Sequence, residues 1–580
     1  MPFSDAIRIG ASGAGDYEIE RSLRFNDDDT AYLSRTPSSA GNRKKWTFSA
    51  WIKRANLDNT MRIFGGNANA SHIFFYANNV YWDLAPEQSG TSAANLVASR
   101  KSRDSSAWFH LVCALDTDES TANNRMRMYI NGNEVTAFQA RTNPSSGYAN
   151  NSTNNNTLHT IGYRTSGQGS AGIGFDGYMT EINFIDGQQY DASYFGETNV
   201  LTGQWNPKKY TGSYGTNGFY LNFSDNSGTS ATTLGKDYSG NGNNWTPNNF
   251  SVAAGTGNDS VTDTPTNNFP TFNPIDTVQG TLANGNLDIS TPVGSAQLWA
   301  NFVIPKTGKW YMETTMRGSG SWYSPFIVAT NYLGFQGTGY TDNNLSYYNN
   351  GDKRLNNSET SYGASFGTND VIAMAIDVDN SQVTFYKNGA SQGAISFTFD
   401  SRVDYYLGLS DGSSYNGADY SVNFGQLPFA NDPPTGFKKL CSANLPEPTI
   451  AFPNKHFGIL TYSGNSSTQV ITDTNEVDFT PDWVWVKRRN GDNSHVLFDS
   501  VRGVHKYLVS SQDGAEGNNA IYLTAFNNGG FTSGNNGDMN VTGRTYVAWN
   551  WNAGNTDSAT YRVVVVSDSG NKYRFRNSAN

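Results

Sequence analysis

The sequence predicts an all-β chain of tandem β-sandwiches, and three observations carry that expectation. Short runs alternate with the strand period of two, as in Trp46-Thr47-Phe48-Ser49-Ala50, where Trp46, Phe48 and Ala50 share one face. The runs are separated by Gly, Asn and Asp clusters. Among these is Asn131-Gly132, a dipeptide that tolerates the two positive φ angles of a type I′ hairpin. Aromatic residues make up 13% of the chain and charged residues only 16%, with 59 glycines, as expected when strands take aromatics and turns take Gly and Asn. No helical period runs for more than a turn or two. At 580 residues the chain exceeds what one core usually serves, so several domains are expected.

The formal net charge of −10 and the lack of a Lys/Arg-rich run argue against a nucleic-acid groove, which needs a basic face to neutralise phosphates. Cys113 and Cys441 fall in different candidate domains, so neither a disulfide nor a thiolate zinc site is expected. No run of eighteen apolar residues exists to span a bilayer. The opening Met1-Pro2-Phe3-Ser4-Asp5-Ala6 has no basic segment followed by an apolar one, and so is not read as a secretory signal.

Taken in order, residues 1–20 are Gly/Ser/Ala-rich without alternation and are expected to form an arm. Residues 21–233 hold short strands such as 46–52, 72–76, 108–116, 127–130 and 175–182. Residues 234–269, rich in Asn, Thr and Pro, read as a linker. A second β-rich domain follows at 270–436, with its best block at Thr368–Asp377 leading to Val383-Thr384-Phe385-Tyr386-Lys387-Asn388-Gly389. A third unit at 449–557 is anchored by Trp483-Val484-Trp485-Val486-Lys487 and Tyr546-Val547-Ala548-Trp549-Asn550-Trp551, both alternating. Residues 558–580 read as a C-terminal hairpin.

The first domain's segments carry a resemblance. Trp-Thr-Phe-Ser-Ala-Trp-Ile at 46–52, Trp-Phe-His-Leu-Val at 108–112, Met-Tyr-Ile-Asn-Gly at 128–132, Thr160-Ile161-Gly162 and Phe175-Asp176-Gly177-Tyr178 come in the order of the laminin-G-like, concanavalin A-like jelly rolls. The block ending Phe385-Tyr386-Lys387-Asn388-Gly389, with Trp310-Tyr311-Met312-Glu313 and Tyr406-Leu407-Gly408-Leu409, is similar to the SPRY family, another two-sheet sandwich. The opening Ser22-Leu23-Arg24-Phe25-Asn26-Asp27-Asp28-Asp29 resembles tail-associated virion proteins of marine and cyanobacterial tailed phages, and the third unit resembles a phage structural module.

Against this background the sequence holds few candidates for catalysis. Hydrolysis of a polysaccharide requires paired carboxylates, and the nearest candidates, Glu181 and Asp186, fall on opposite faces of a regular strand. His110 sits inside an apolar strand and reads as a packing residue. His495 and His505 lack a nucleophile context, and no phosphate-cradling glycine loop is present. The chain is therefore not expected to be an enzyme. The laminin-G resemblance implies calcium held by Asp and carbonyl oxygens. Asp225 (beside Asn226) and Asp237 with Asn241 and Asn243 offer oxygen-rich loops for it, while the same residues serve tight turns equally well. Sugar rings stack on aromatic side chains with Asn and Asp addressing hydroxyls, which singles out Tyr81 and Trp82 in one segment and Trp322 and Tyr323 in another. The same rings also suit sandwich cores.

Together these readings imply an adhesin on a virion tail or other exterior appendage, made in a host cytoplasm and released by lysis. It would recognise a host cell-surface glycan without catalysis and bind other virion proteins. A homo-oligomer such as a trimer would suit a fibre, although no heptads specify one. Two alternatives stand beside this: a head or neck decoration protein, and a polysaccharide depolymerase.

Overall fold

The computed structural model describes residues 17–553 apart from 58, 67–70, 85–93, 166–171, 200–202, 279, 292–296, 319–322, 330–343, 357, 412–417, 447–449, 451 and 475. The arm expected at 1–20 is thus described only from Tyr17, and the hairpin expected at 558–580 lies outside the described residues. These residues form strands joined by turns and short 3-10 segments, with no α-helix among them. They divide into two compact units, one of Met1–Thr198 with Trp205–Pro448 and one of Asn199–Gln204 with Thr449–Asn580.

The first unit holds two sandwiches. In the first, one sheet runs in the order Asn133–Glu134, Met126–Ile130, Phe109–Asp116, Lys45–Arg54, Gly177–Asp186, Ser22–Phe25 and Ser260–Val261. The facing sheet runs Phe138–Thr142, Ala94–Lys101, Asn79–Leu84, His72–Tyr76, Met61–Gly65, His159–Ile161, Tyr32–Arg35 and Thr246–Asn248. Alternation sets the layers: Trp46, Phe48, Ala50 and Ile52 from one sheet meet Ile63, Ile73, Phe75, Val80 and Trp82 from the other in a closed core. Asn131 and Gly132 adopt φ of 48° and 81°, the hairpin geometry that the dipeptide demands.

Residues 234–269 are not a linker. Leu234 and Trp245 lie in the first core, each 1% exposed, and Thr246–Asn248 and Ser260–Val261 close the edges of its two sheets. The Asn- and Gly-rich composition marks the turns between these short edge strands, and composition alone does not distinguish such turns from a tether.

The second sandwich pairs a seven-stranded sheet, from Phe272–Val278 to Ser358–Ser361, with an eight-stranded one containing Lys309–Gly318, Val371–Asp377, Gln382–Lys387 and Asp419–Asn423. It extends beyond residue 436: Lys438–Lys439 pairs in parallel with Lys309–Gly318, and Leu440 and Cys441 enter the core. The hairpin at Asn388-Gly389 repeats the geometry of the first, with φ of 48° and 80°. A polar seam joins the sandwiches. Lys53, fully buried, reaches Asp263 at 2.8 Å, the Asn268 side chain at 2.7 Å and the Phe269 carbonyl at 2.7 Å, while the Trp108 indole donates to Asp263 at 2.9 Å. Breaking one side of such a buried pair costs about 3–5 kcal/mol, because the remaining charge stays desolvated.

The second unit has a six-stranded sheet ordered Phe457–Ser463, Thr545–Trp551, Trp483–Arg488, Val496–Asp499, Lys506–Val509 and Gly517–Asn518, and a three-stranded sheet. Val484, Val486, Phe498, Tyr546 and Ala548 point into the core between them. Alternation sends the intervening rings to the other face, where Phe457, Trp551 and Trp483 form one cross-strand row and Ile459, Trp549 and Trp485 the next. The rings lean on one another: Trp483 stacks on Trp551 at 4.7 Å, and Trp485 meets Trp549 at 5.6 Å.

Candidate functional site

The strands Met61–Gly65, His72–Tyr76, Asn79–Leu84 and Ala94–Lys101 send Ile63, Ile73, Phe75, Val80, Trp82, Leu84 and Leu96 into the first core. Their alternate positions therefore build the opposite face of the sheet. Register fixes two rows there. Arg62, Phe74, Tyr81 and Val97 lie side by side in one, and His72, Asp83 and Asn95 in the other. Phe74 and Tyr81 are 5.0 Å apart, and Tyr76, half exposed, meets the edge of Tyr81 at 5.6 Å.

The polar groups among these rings are desolvated and only partly paired. The Arg62 guanidinium is 1% exposed and donates from Nη2 to the Gly66 carbonyl at 3.1 Å, yet among the described residues its Nε and Nη1 have no hydrogen-bond partner. His72 Nδ1, Asn95 Oδ1 and Arg164 Nε are buried and unpartnered as well. Native interiors leave few such atoms, and each carries a cost of about 1–3 kcal/mol unless a further group meets it. Burial and the Arg62 and Arg164 charges press the His72 imidazole down to about 3, so it is neutral at ordinary pH. Burial alone lifts the Asp83 carboxyl to about 6. Gly65 is required beside this cluster, because a Cβ there would fall 2.1 Å from Arg62 Nη2 and 2.5 Å from the Ser71 carbonyl. The face thus offers N–H donors, acceptor oxygens and ring surfaces within one patch, a set suited to a polyhydroxylated ligand.

Residues 26–193, which contain this face, match the sequence family described as the concanavalin A-like lectin/glucanases superfamily. The jelly-roll expectation for the first domain agrees with that match and with the two sheets described above. Residues 452–572 match a second family, described as a domain of unknown function (DUF7483). Among curated proteins, the chain is 31% identical over 149 residues to the E3 ubiquitin-protein ligase RKP of Arabidopsis thaliana, covering 25% of this chain and 11% of that protein. It is also 29% identical over 158 residues to the ATP-dependent RNA helicase Ddx1 of Drosophila melanogaster, of which 19% is covered. The chain therefore spans less than a fifth of the length of these relatives. Among solved structures, the SPRY domain of human HERC1 aligns over 27% of this chain and 99% of its own, with 16% identity and a TM-score of 0.23.

The residues singled out from sequence fare differently. Tyr81 stands on the outer face just described. Trp82 does not: it is 1% exposed in the core, 5.5 Å from Trp46, because neighbouring strand residues point to opposite faces. Trp322 lies outside the described residues, and Tyr323 opens the strand Tyr323–Ala329. Arg62, His72 and Asn95 were missed. Their signal was present as polar residues set between core residues, in the strand period at His72 and Asn95 and beside a bulge at Arg62.

The loops proposed for calcium spend most of their oxygens on the chain's own donors. Asp237 Oδ1 accepts from the Tyr220 and Ser239 amides at 2.9 and 2.8 Å, and Oδ2 accepts from the Ser239 hydroxyl and the Asn243 amide, both at 2.8 Å. Asn241 and Asn243 turn their NH₂ groups onto the carbonyls of Gly215, Thr216 and Gly218. Asn243 Oδ1 is taken by Arg35. Asp225 accepts from the Ser227 amide and hydroxyl at 3.1 and 2.7 Å, an Asx turn. Both Asp237 oxygens, Asp225 Oδ1 and Asn243 Oδ1 thus hold the chain itself.

The two carboxylates of the long strand are likewise engaged. Glu181 sits at a bulge with φ of 52°, accepting from Tyr17 Oη at 2.6 Å and Tyr220 Oη at 2.7 Å, and burial raises it to about 7. Asp186 accepts from the Asn42 and Asn217 amides at 2.8 and 3.0 Å and from the Asn154 side chain at 2.6 Å. His110 is a satisfied packing residue, bonded to Ser49 at 2.8 Å and to the Trp205 indole at 3.1 Å.

Proposed function

We propose that this chain is a carbohydrate-binding, adhesin-like protein whose first sandwich seats a glycan on the sheet face of Arg62, His72, Phe74, Tyr81, Asp83 and Asn95. The observation that carries the reading is the coincidence, on that one face, of accessible Tyr76 and Tyr81 rings with the half-buried Asp83 and Asn95 side chains, set around an underpaired guanidinium. A sugar suits the accessible part of that face: its hydroxyls meet the half-buried Asp83 and Asn95 side chains, and its C–H face lies on the tyrosine ring. The match of residues 26–193 to the lectin/glucanase superfamily supports it.

The chain binds without cleaving. A glycosidase needs two carboxyl groups about 5–10 Å apart, and among the described residues of these two rows Asp83 is the one carboxylate. The finer reading is a bacteriophage tail-associated protein that attaches the particle to host-surface polysaccharide and contacts other virion proteins. Support for that setting is the resemblance of the opening strand and the Gly- and Asn-rich, weakly charged composition. A glycan array probed with the full chain tests the ligand class: binding of surface polysaccharides is expected, and a blank array would overturn it. New reducing ends after incubation with those polysaccharides would overturn the non-catalytic reading. Immunogold labelling of particles that places the chain on the capsid shell would replace the tail adhesin with a decoration protein.

A further inference from the structure

Where the two sandwiches of the first unit meet, a cleft of about 160 Å³ opens between Ala55, Asn56 and Asp176 of the first and Pro274, Leu282 and Asn286 of the second. Asp176 is 4% exposed and lines this cleft. Its carboxylate takes a hydrogen bond from the Gly285 backbone, while Oδ1 has no partner among the described residues. Among the described residues no cation bonds to it. Asp27 and Asp28 add negative potential, and Arg24, the cation that acts against them, is committed to Asp259 at 3.2 Å and to the carbonyls of Thr256 and Asn284. A buried carboxylate in this setting has a cation nearby but none paired to it directly.

We propose that this seam cleft is a binding site for a primary ammonium group on a short aliphatic stem, with Asp176 as its anchor. Three N–H donors match Asp176 Oδ1 and the neighbouring amide oxygens. The Asn286 NH₂ is held by the Ala55 carbonyl at 3.0 Å, which leaves its oxygen as the acceptor. Ala55, Pro274 and Leu282 offer nothing to a divalent ion, which takes six to eight oxygens, but they suit the methylene stem of an alkylammonium. A lysine side chain of another protein and a small free amine share this chemistry. The site is separate from the glycan face and stands without it.

Calorimetric titration of the full chain with n-butylammonium and with Nα-acetyl-lysine amide tests the proposal and separates the two sources. Saturable one-site binding of either is expected, stronger for the peptide-like probe if a lysine side chain is the natural occupant. Burial and the Asp27 and Asp28 charges lift Asp176 to about 8, so an arriving cation displaces its proton. Binding at pH 7 should therefore release protons, read as a dependence of the heat on the buffer's ionisation enthalpy. Asp176→Asn should weaken binding by at least about tenfold. Asn56→Phe, which narrows the cleft and leaves Asp176 in place, should do the same if the first variant folds poorly. Absence of binding, binding unaffected by both variants, or Asp176-dependent binding of calcium without binding of ammonium would each overturn the proposal.

Discussion

The outer sheet face of the first sandwich and the outer face of the six-stranded sheet in the second unit both carry rows of aromatic rings, but their surroundings differ. In the first, Phe74, Tyr76 and Tyr81 stand beside Arg62, His72 and Asn95, each of which keeps a buried polar atom without a partner. In the second, rings meet rings: Phe457, Trp551 and Trp483 lie in a file at 5.0 and 4.7 Å, and the Trp485 indole is already bonded to His495 at 2.9 Å. Trp483 stacks on Trp551, yet Phe457 and Trp483 each stay more than a third exposed, so apolar ring surface is present on both faces. Exposed aromatic residues alone therefore do not mark a seat for sugar. What distinguishes the first face is unmet hydrogen-bonding capacity beside open ring surface.

The largest expected effect tests the assignment of neighbours within one strand. Trp82→Ala empties a core position and should destabilise the first sandwich by about 3–5 kcal/mol, read as an early unfolding transition. Tyr81→Ala, one residue away on the other face, should cost well under half of that. If the two variants unfold alike, the division of this strand into a core face and a binding face is wrong.

Tyr81→Ala should instead weaken glycan binding by about tenfold, the equivalent of one aromatic contact of roughly 1.4 kcal/mol. Titration with a polysaccharide identified on the array would show it. Unchanged affinity would move the binding site elsewhere on the molecule.

Much of this was legible in the sequence. Period-two alternation located the strands of all three β-rich regions, and Asn131-Gly132 and Asn388-Gly389 marked hairpins that the chain indeed makes. Alternation also contained the means to separate Tyr81 from Trp82, since successive strand residues cannot share a face. Tertiary placement was less accessible. Trp245 reads as part of a turn-rich tether until Thr246–Asn248 is seen pairing with Tyr32–Arg35, a partner more than 200 residues away. Asp237 has the composition of a cation ligand, and only the positions of four donor groups show its oxygens to be taken. The proposed site was hidden for a related reason: Arg62, His72 and Asn95 are unremarkable residues until register aligns their strands.

A pH series sharpens the comparison further, because only the first face carries a carboxyl lifted to about 6 by burial. Unfolded, Asp83 ionises near the ordinary value of about 4. The folded state therefore holds the proton more tightly, and its contribution to stability is present below about pH 4 and is lost as pH rises through about 6. Asp83→Asn should remove that component. Binding should run the opposite way: ionised Asp83 accepts a sugar hydroxyl more strongly than the neutral acid does, by roughly 1 kcal/mol or about fivefold in affinity. His72, neutral down to about 3, does not titrate in this window. Affinity that is flat from pH 5 to 7 would remove Asp83 from the ligand's contacts.

The smallest effect is expected at the second face, where it works as the control for the first. Trp483→Ala removes a half-exposed ring that stacks on Trp551, and should cost about 0.5–1.5 kcal/mol of stability in the second unit. Glycan affinity should not move, because among the described residues Trp483, Trp551 and Trp549 hold no buried donor without a partner. A loss of binding comparable to that of Tyr81→Ala would invert the comparison. It would mean that apolar ring area governs recognition, and that the unpaired guanidinium, imidazole and amide of the first sandwich answer to something other than sugar.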